Sequence, residues 1–150
     1  MLTTVKRSAL VTFSAQQMFD LVNDVVSYPK YMDNCVGAEV LQQSEDKGTR
    51  QGTMVARLDL KKGGISYSFT TCNTLVPPDS INMVLQQGPF KQLSGVWNFK
   101  ALTDSACKVT LDLEFEFNSL SVGLASSGLF TSVANNLVDA LSKRAQEVYG

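Results

Sequence analysis

The eleven residues from Cys107 to Phe117 constrain the fold of this chain more than any other stretch. Cys107, Val109, Leu111, Leu113, Phe115 and Phe117 alternate with Lys108, Thr110, Asp112, Glu114 and Glu116. An apolar/polar period of two places every apolar side chain on one face of a strand and every charge on the other. Such a strand belongs to an antiparallel sheet with one wet face and one covered face. The cover lies immediately downstream. From about Leu124 the period turns helical, and Leu129, Phe130, Val133, Leu137, Leu141, Ala145 and Val148 form an apolar stripe. A helix of about 25 residues is roughly 38 Å long, and an eleven-residue strand spans roughly 36 Å. One helix is therefore long enough to lie across the whole apolar face. Lys143 and Arg144 fall towards its C-terminal end, where they complement the helix dipole.

The strands upstream repeat the pattern. Val5 to Thr12 is strand-like. From Ala38 the chain takes up period two, and Val40 starts a strand that ends at Glu45-Asp46-Lys47-Gly48. Met54, Ala56, Leu58 and Leu60 share a face before a Lys61-Lys62-Gly63-Gly64 hairpin. Ile65, Tyr67 and Phe69 follow, then a Pro77-Pro78-Asp79 turn. Ile81, Met83 and Leu85 lead to a break at Gly88-Pro89. Leu93, Gly95, Trp97 and Phe99 then lead to a turn at Thr103-Asp104-Ser105. Short turns between consecutive strands make a meander. Gly52 and Gly95, inside strands, mark bends or bulges, and Gly128 marks a kink or a close-packing point in the last helix. Near the N-terminus Ser14 is an N-cap, and Met18, Phe19 and Val22 form one face of a short helix that Tyr28-Pro29 ends or redirects. The expectation is a single α+β domain over residues 1–150, with about seven antiparallel strands, two short helices and a long C-terminal helix.

Composition narrows the chemistry. The 150 residues include no histidine, which removes the commonest general base and transition-metal ligand. Cys35, Cys72 and Cys107 are scattered, odd in number and form no CxxC, so they read as buried thiols of a reducing compartment. A net charge of -1 gives no general attraction to DNA. No run approaches a membrane span and no signal peptide is evident, so the expected location is the cytoplasm.

Candidate sites follow from the apolar face. Phe69, Met83, Trp97, Phe99, Phe115 and Phe117 oppose Phe130, Val133 and Leu137, and this set fits a packed core or the wall of a pocket. Tyr28, Tyr31 and Met32 pack over the sheet end or line an entrance. The turn Pro89-Phe90-Lys91 reads as structural or as the guard of a cavity mouth. Asp112, Glu114 and Glu116 read as a solvated face. Asp20 and Asp24 lack a third ligand for a metal site, though Asp24 can also end the first helix. Lys61 and Lys62, with Lys6 and Arg7 or with Lys91, make at most a small basic patch. No metal site, catalytic set or nucleotide loop is expected.

An ordered set of motifs resembles a known family: Val22-Asn23-Asp24-Val25 with Tyr28-Pro29 and Cys35, then Gly64-Ile65-Ser66 with Phe69-Thr70-Thr71 and Asn73. Gly88-Pro89-Phe90-Lys91 with Leu93, Gly95, Trp97 and Phe99 comes next, followed by Phe115-Glu116-Phe117 and Arg144-Ala145 before Val148-Tyr149. Over about Arg7 to Gly150 the chain resembles the coenzyme Q-binding, START-like family of the polyketide cyclase (SRPBCC) superfamily, whose bacterial members are called ribosome-association toxins. The resemblance implies a helix-grip fold, START-like or Bet v 1-like. It implies non-catalytic binding of a polyisoprenoid lipid such as ubiquinone in an internal cavity, in support of respiration. As an alternative it implies binding to the large ribosomal subunit and inhibition of translation initiation. No cofactor beyond a bound isoprenoid is implied. The expected partners are a hydrophobic small molecule, the large ribosomal subunit and a transient contact with the inner membrane, with the chain a monomer or weak homodimer. Met32-Asp33-Asn34 departs from the Leu-Pro or Pro-Trp arrangement frequent before the family cysteine.

Overall fold

The computed structural model describes residues 2–118 and 124–150. Seven strands form one antiparallel sheet: β1 (Thr3–Val11), β2 (Cys35–Glu45), β3 (Gly52–Lys62), β4 (Ile65–Val76), β5 (Ser80–Gln87), β6 (Phe90–Thr103) and β7 (Ala106–Phe117). Their order is β1-β7-β6-β5-β4-β3-β2. From β2 to β7 the sheet is a meander, and β1 returns to pair with β7, with Val5 opposite Leu113 and Ala9 opposite Val109. The helix α1 (Ala15–Asn23), a 3-10 helix (Val25–Lys30) and the long α2 (Leu124–Tyr149) complete the fold.

Alternation decides which face is covered. Cys107, Val109, Leu111, Leu113 and Phe115 are buried, whereas Lys108 and Glu114 are exposed. Cross-strand partners share a face, so the row Leu113, Gly95, Met83, Asn73 and Met54 runs across β7, β6, β5, β4 and β3 on the inner side. α2 lies over this side through Leu129, Phe130, Ala134, Val138, Leu141 and Ala145. Three side-chain hydrogen bonds fasten it along its length. Tyr67 Oη donates to the Ser126 carbonyl at 3.0 Å, Arg7 Nη2 to Asn135 Oδ1 at 2.6 Å, and Tyr149 Oη to the Gln17 carbonyl at 3.0 Å.

The start of the chain follows its expected capping. Ser14 Oγ accepts from the Gln17 amide at 3.0 Å, while Gln17 Oε1 accepts from the Ser14 amide at 2.9 Å. Gly63, with φ +60, forms the hairpin tip after Lys61-Lys62.

Several local expectations change. α1 ends at Asn23, not at Tyr28-Pro29, because the Asp24 amide closes the helix on the Asp20 and Leu21 carbonyls. Pro29 then sits inside the 3-10 helix. β2 begins at Cys35, ahead of the alternation noticed from Ala38. The bulges fall between Cys35 and Gly37, Val40 and Gln42, Thr70 and Thr71, Phe90 and Gln92, and Ala101 and Thr103, so neither Gly52 nor Gly95 sits at one. These irregularities accompany the bending of the sheet around its helix. Gly95 serves close approach instead: a Cβ there would lie 2.7 Å from Leu113 Cδ1 and 2.9 Å from Met83 Cε. Gly128 has no such neighbour. Val148 is exposed, and the stripe includes Ala134 and Val138, which the sequence pattern did not single out. Lys143 and Arg144 stand ahead of the last turn of α2 and do not cap it.

Candidate functional site: a cavity beneath the long helix

The inner face is filled at both ends and hollow between them. At one end, rings of Phe69, Phe90, Phe115, Phe117 and Phe130 pack with centroids 4.3–6.4 Å apart, mostly edge to face. At the other, Phe19 of α1 meets Phe99 at 5.7 Å, and Phe99 stacks on Trp97 at 6.3 Å. Between these blocks the sheet, the 3-10 helix and α2 enclose a cavity. The space between its atoms is about 760 Å³ counted out to its open mouth, of which about 90 Å³ is room a water-sized sphere can move in. A long apolar guest thus requires the jaws to part.

Of the residues expected around a pocket, Tyr28, Met32, Phe69, Met83, Trp97, Phe130, Val133 and Leu137 line this cavity. Four others do not. Phe99 is committed to the α1 block, and Phe115 and Phe117 to the aromatic block, where Phe115 is 1 % exposed. Tyr31 faces the neighbouring groove between the 3-10 helix and α2, whose walls share Met32 and Val133 with the cavity. That groove adjoins the cavity along this seam. The turn Pro89-Phe90-Lys91 is not at the mouth: Phe90 is buried among rings behind Phe69 and Phe130, and Lys91 reaches out to Glu116 at 3.6 Å.

Sequence reading missed most of the floor and much of the seam: Val25, Ala56, Leu58, Leu60, Leu93, Leu111, Leu113 and Ala134. Several were recognised as inward-facing, but nothing in their type separates cavity from core. Thr71 and Asn73 were also missed as site residues, and here the signal was available. The period-two run Ile65, Tyr67, Phe69 extends to Thr71, Asn73 and Leu75, which puts two polar side chains on the covered face. Thr71 is 8 % and Asn73 6 % exposed, and both line the cavity. Thr71 Oγ1 donates to Asn73 Oδ1 at 2.8 Å.

The phenols and the Cys35 thiol nearby are held neutral. Tyr28 Oη donates to the Val22 carbonyl, and burial, reinforced by Tyr31, Cys35 and Asp24, raises its pKa well above the ordinary phenol value. Burial also raises Tyr31 and Tyr67. Burial raises the Cys35 thiol against the opposing effect of its hydrogen bond to Gly37. The Arg144 guanidinium stands 5.3 Å over the Tyr31 ring, and Tyr31 Oη and Arg144 Nε are both buried without a hydrogen-bond partner. Among the described residues, no carboxylate lines the cavity, and no three acidic or cysteine side chains gather as a metal set. No helix among them is long and apolar enough to cross a membrane.

This architecture defines a class: a helix-grip protein with a hollow between its sheet and its long helix. The family model described as polyketide cyclase / dehydrase and lipid transport matches residues 11–142, and the chain belongs to that family. The chain is 51 % identical over 146 residues to the ribosome association toxin RatA of Vibrio cholerae, covering 97 % of both chains. It is 29 % identical over 147 residues to the mitochondrial coenzyme Q-binding protein COQ10 homolog B of Xenopus laevis, covering 95 % of this chain and 58 % of that one. Among solved structures, a START superfamily protein from Mycobacterium smegmatis superposes with a TM-score of 0.74 at 24 % identity, covering 97 % of this chain and 98 % of the other. The ZhuI aromatase/cyclase from a Streptomyces species does so with 0.76 at 18 % identity, covering 97 % and 94 %. These two likenesses are of fold alone.

Proposed function

We propose that the chain is a non-catalytic container for a hydrophobic polyisoprenoid lipid of the ubiquinone type, in support of respiratory electron transport. The observation that carries this reading is the apolar cavity under α2, walled by Trp97, Phe69, Met83, Phe130 and Leu137. Burying a methylene contributes roughly 0.8 kcal/mol, so ten carbons stabilise a complex by several kcal/mol even after the cost of association. Likeness to a relative named as coenzyme Q-binding favours a quinone as guest. Chemistry is disfavoured by the cavity wall, which offers a backbone-bonded phenol, a hydroxyl and an amide but no acid–base pair among the described residues. In this reading the protein acts in the cytoplasm and touches the inner membrane transiently to load and unload, as a monomer or weak homodimer. Extraction of purified protein with organic solvent, followed by mass spectrometry, should release a quinone or lipid near one equivalent. Clean extracts and no binding in a lipid titration would sink the reading.

A second reading has its own support. The V. cholerae relative at 51 % identity is named for ribosome association. Binding to the large ribosomal subunit, with inhibition of translation initiation, is compatible with a lipid in the cavity, since one uses the interior and the other the surface. Sedimentation with purified large subunits across a salt series tests it. Absence from the ribosomal pellet at low salt would count decisively against it.

A further inference from the structure

The cavity holds one polar feature that an apolar container does not need. Thr71 and Asn73 sit two residues apart on β4, so both point inward from a face that is otherwise apolar around them. With Thr70 they are the buried polar side chains among the described residues. An asparagine amide carries two N–H donors and one oxygen acceptor. The oxygen of Asn73 is taken by Thr71 Oγ1. No acceptor among the described residues takes its N–H groups, although the side chain is only 6 % exposed and lines the hollow. The amide N–H groups are therefore left to face the hollow, where a guest can accept from them. Leucine, close in size, would match the surrounding wall and offer no donor.

We propose that Asn73, oriented by Thr71, donates a hydrogen bond to a carbonyl oxygen of the cavity's guest, so that the site selects lipids with a carbonyl head over plain hydrocarbons. This rests on the container reading and deepens it. The apolar walls take the chain of the guest, and the Thr71–Asn73 pair fixes where its head lies. A quinone and a fatty ester share the required oxygen. Their head shapes differ, and Met83, the cross-strand partner of Asn73, bounds the room beside it.

The test is an NMR titration of isotope-labelled protein with three probes: decylubiquinone, methyl decanoate and decylbenzene. All three should shift the methyl signals of Ala56 and Leu137, which line the cavity. Only the two carbonyl probes should shift the Asn73 side-chain NH2 signals, and the tighter of them should bind at least tenfold better than decylbenzene. Asn73→Leu should cut that preference below twofold and keep the decylbenzene affinity. Thr71→Val serves as a second variant and should weaken the preference by freeing the amide to turn. A carbonyl preference unchanged in both variants, or an Asn73 signal that stays still, overturns the proposal and leaves the container reading standing. If no probe moves the Ala56 and Leu137 signals, both fall together. Which carbonyl probe binds tighter tells a quinone head from an ester head.

Discussion

Two neighbouring parts of the same inner face contrast sharply. At the Phe90 end, five phenylalanines from β4, β6, β7 and α2 fill the space under the helix with rings in contact. In the middle, Ala56, Met83 and Ala134 leave the space open, and Thr71 and Asn73 put polar groups into it. Both regions obey the same period-two rule and the same helix covers both. The difference lies in side-chain volume. A curved sheet over a single helix encloses more space than one apolar stripe can fill. The ends close because rings meet in contact there, and the middle stays hollow where Ala56, Met83 and Ala134 stand among the larger residues of the wall.

The largest expected effect comes from breaking the filled end. Phe90→Ala removes a ring in contact with four others and should cost about 3–5 kcal/mol in urea denaturation. The hollow should be far more tolerant. Leu137→Ala, at a half-buried position on the cavity wall, should cost less than about 2 kcal/mol. Equal losses at the two sites would mean that the middle is an ordinary core.

A pair of alanines on α2 sharpens the comparison from the opposite direction. Ala145 is fully buried, and Ala145→Leu should destabilise by about 1–3 kcal/mol through overpacking. Ala134 lines the cavity, and Ala134→Leu should grow into open space at a cost under about 1 kcal/mol while abolishing lipid binding. Thermal melts together with a binding assay separate these outcomes.

Smaller effects belong to the phenols of the seam and the floor. Tyr28→Phe leaves the Val22 carbonyl without its donor and should cost about 1 kcal/mol. The pH dependence has a definite sign. Burial raises Tyr28, Tyr31 and Tyr67 above the unfolded phenol value of about 10. Their contribution is therefore complete below about pH 10 and is lost as pH rises from there through the folded values. Stability across pH 7–9 should show no pH dependence from them, and Tyr67→Phe should make the alkaline decline shallower. A decline that begins near pH 8 and tracks these tyrosines would contradict their burial.

Much of the architecture was legible because alternation and helical period report directly on which face is covered. The hairpin at Lys61–Gly64, the break at Gly88-Pro89 and the helix from Leu124 all fall where turn chemistry and period place them. Cavity membership was less legible. Phe115 and Trp97 carry equally apolar inward side chains, yet one lies in a ring cluster and the other on the cavity wall, a difference set by neighbours from three other elements. The turn at Phe90 misled for the same reason, since a ring beside Gly-Pro can guard an opening or plug an end. Asn73 was the readable clue left unread, a polar residue at an inward position of a strand.

One measurement bears most directly on the hollow middle. Trp97 is the sole tryptophan and lines the cavity, so a quinone seated there should quench its fluorescence by contact. Titration with decylubiquinone should give saturable quenching at one equivalent in the native protein and none in Ala134→Leu. Quenching that fails to saturate, or that persists unchanged in Ala134→Leu, would show that the space beneath the helix is not where a lipid binds.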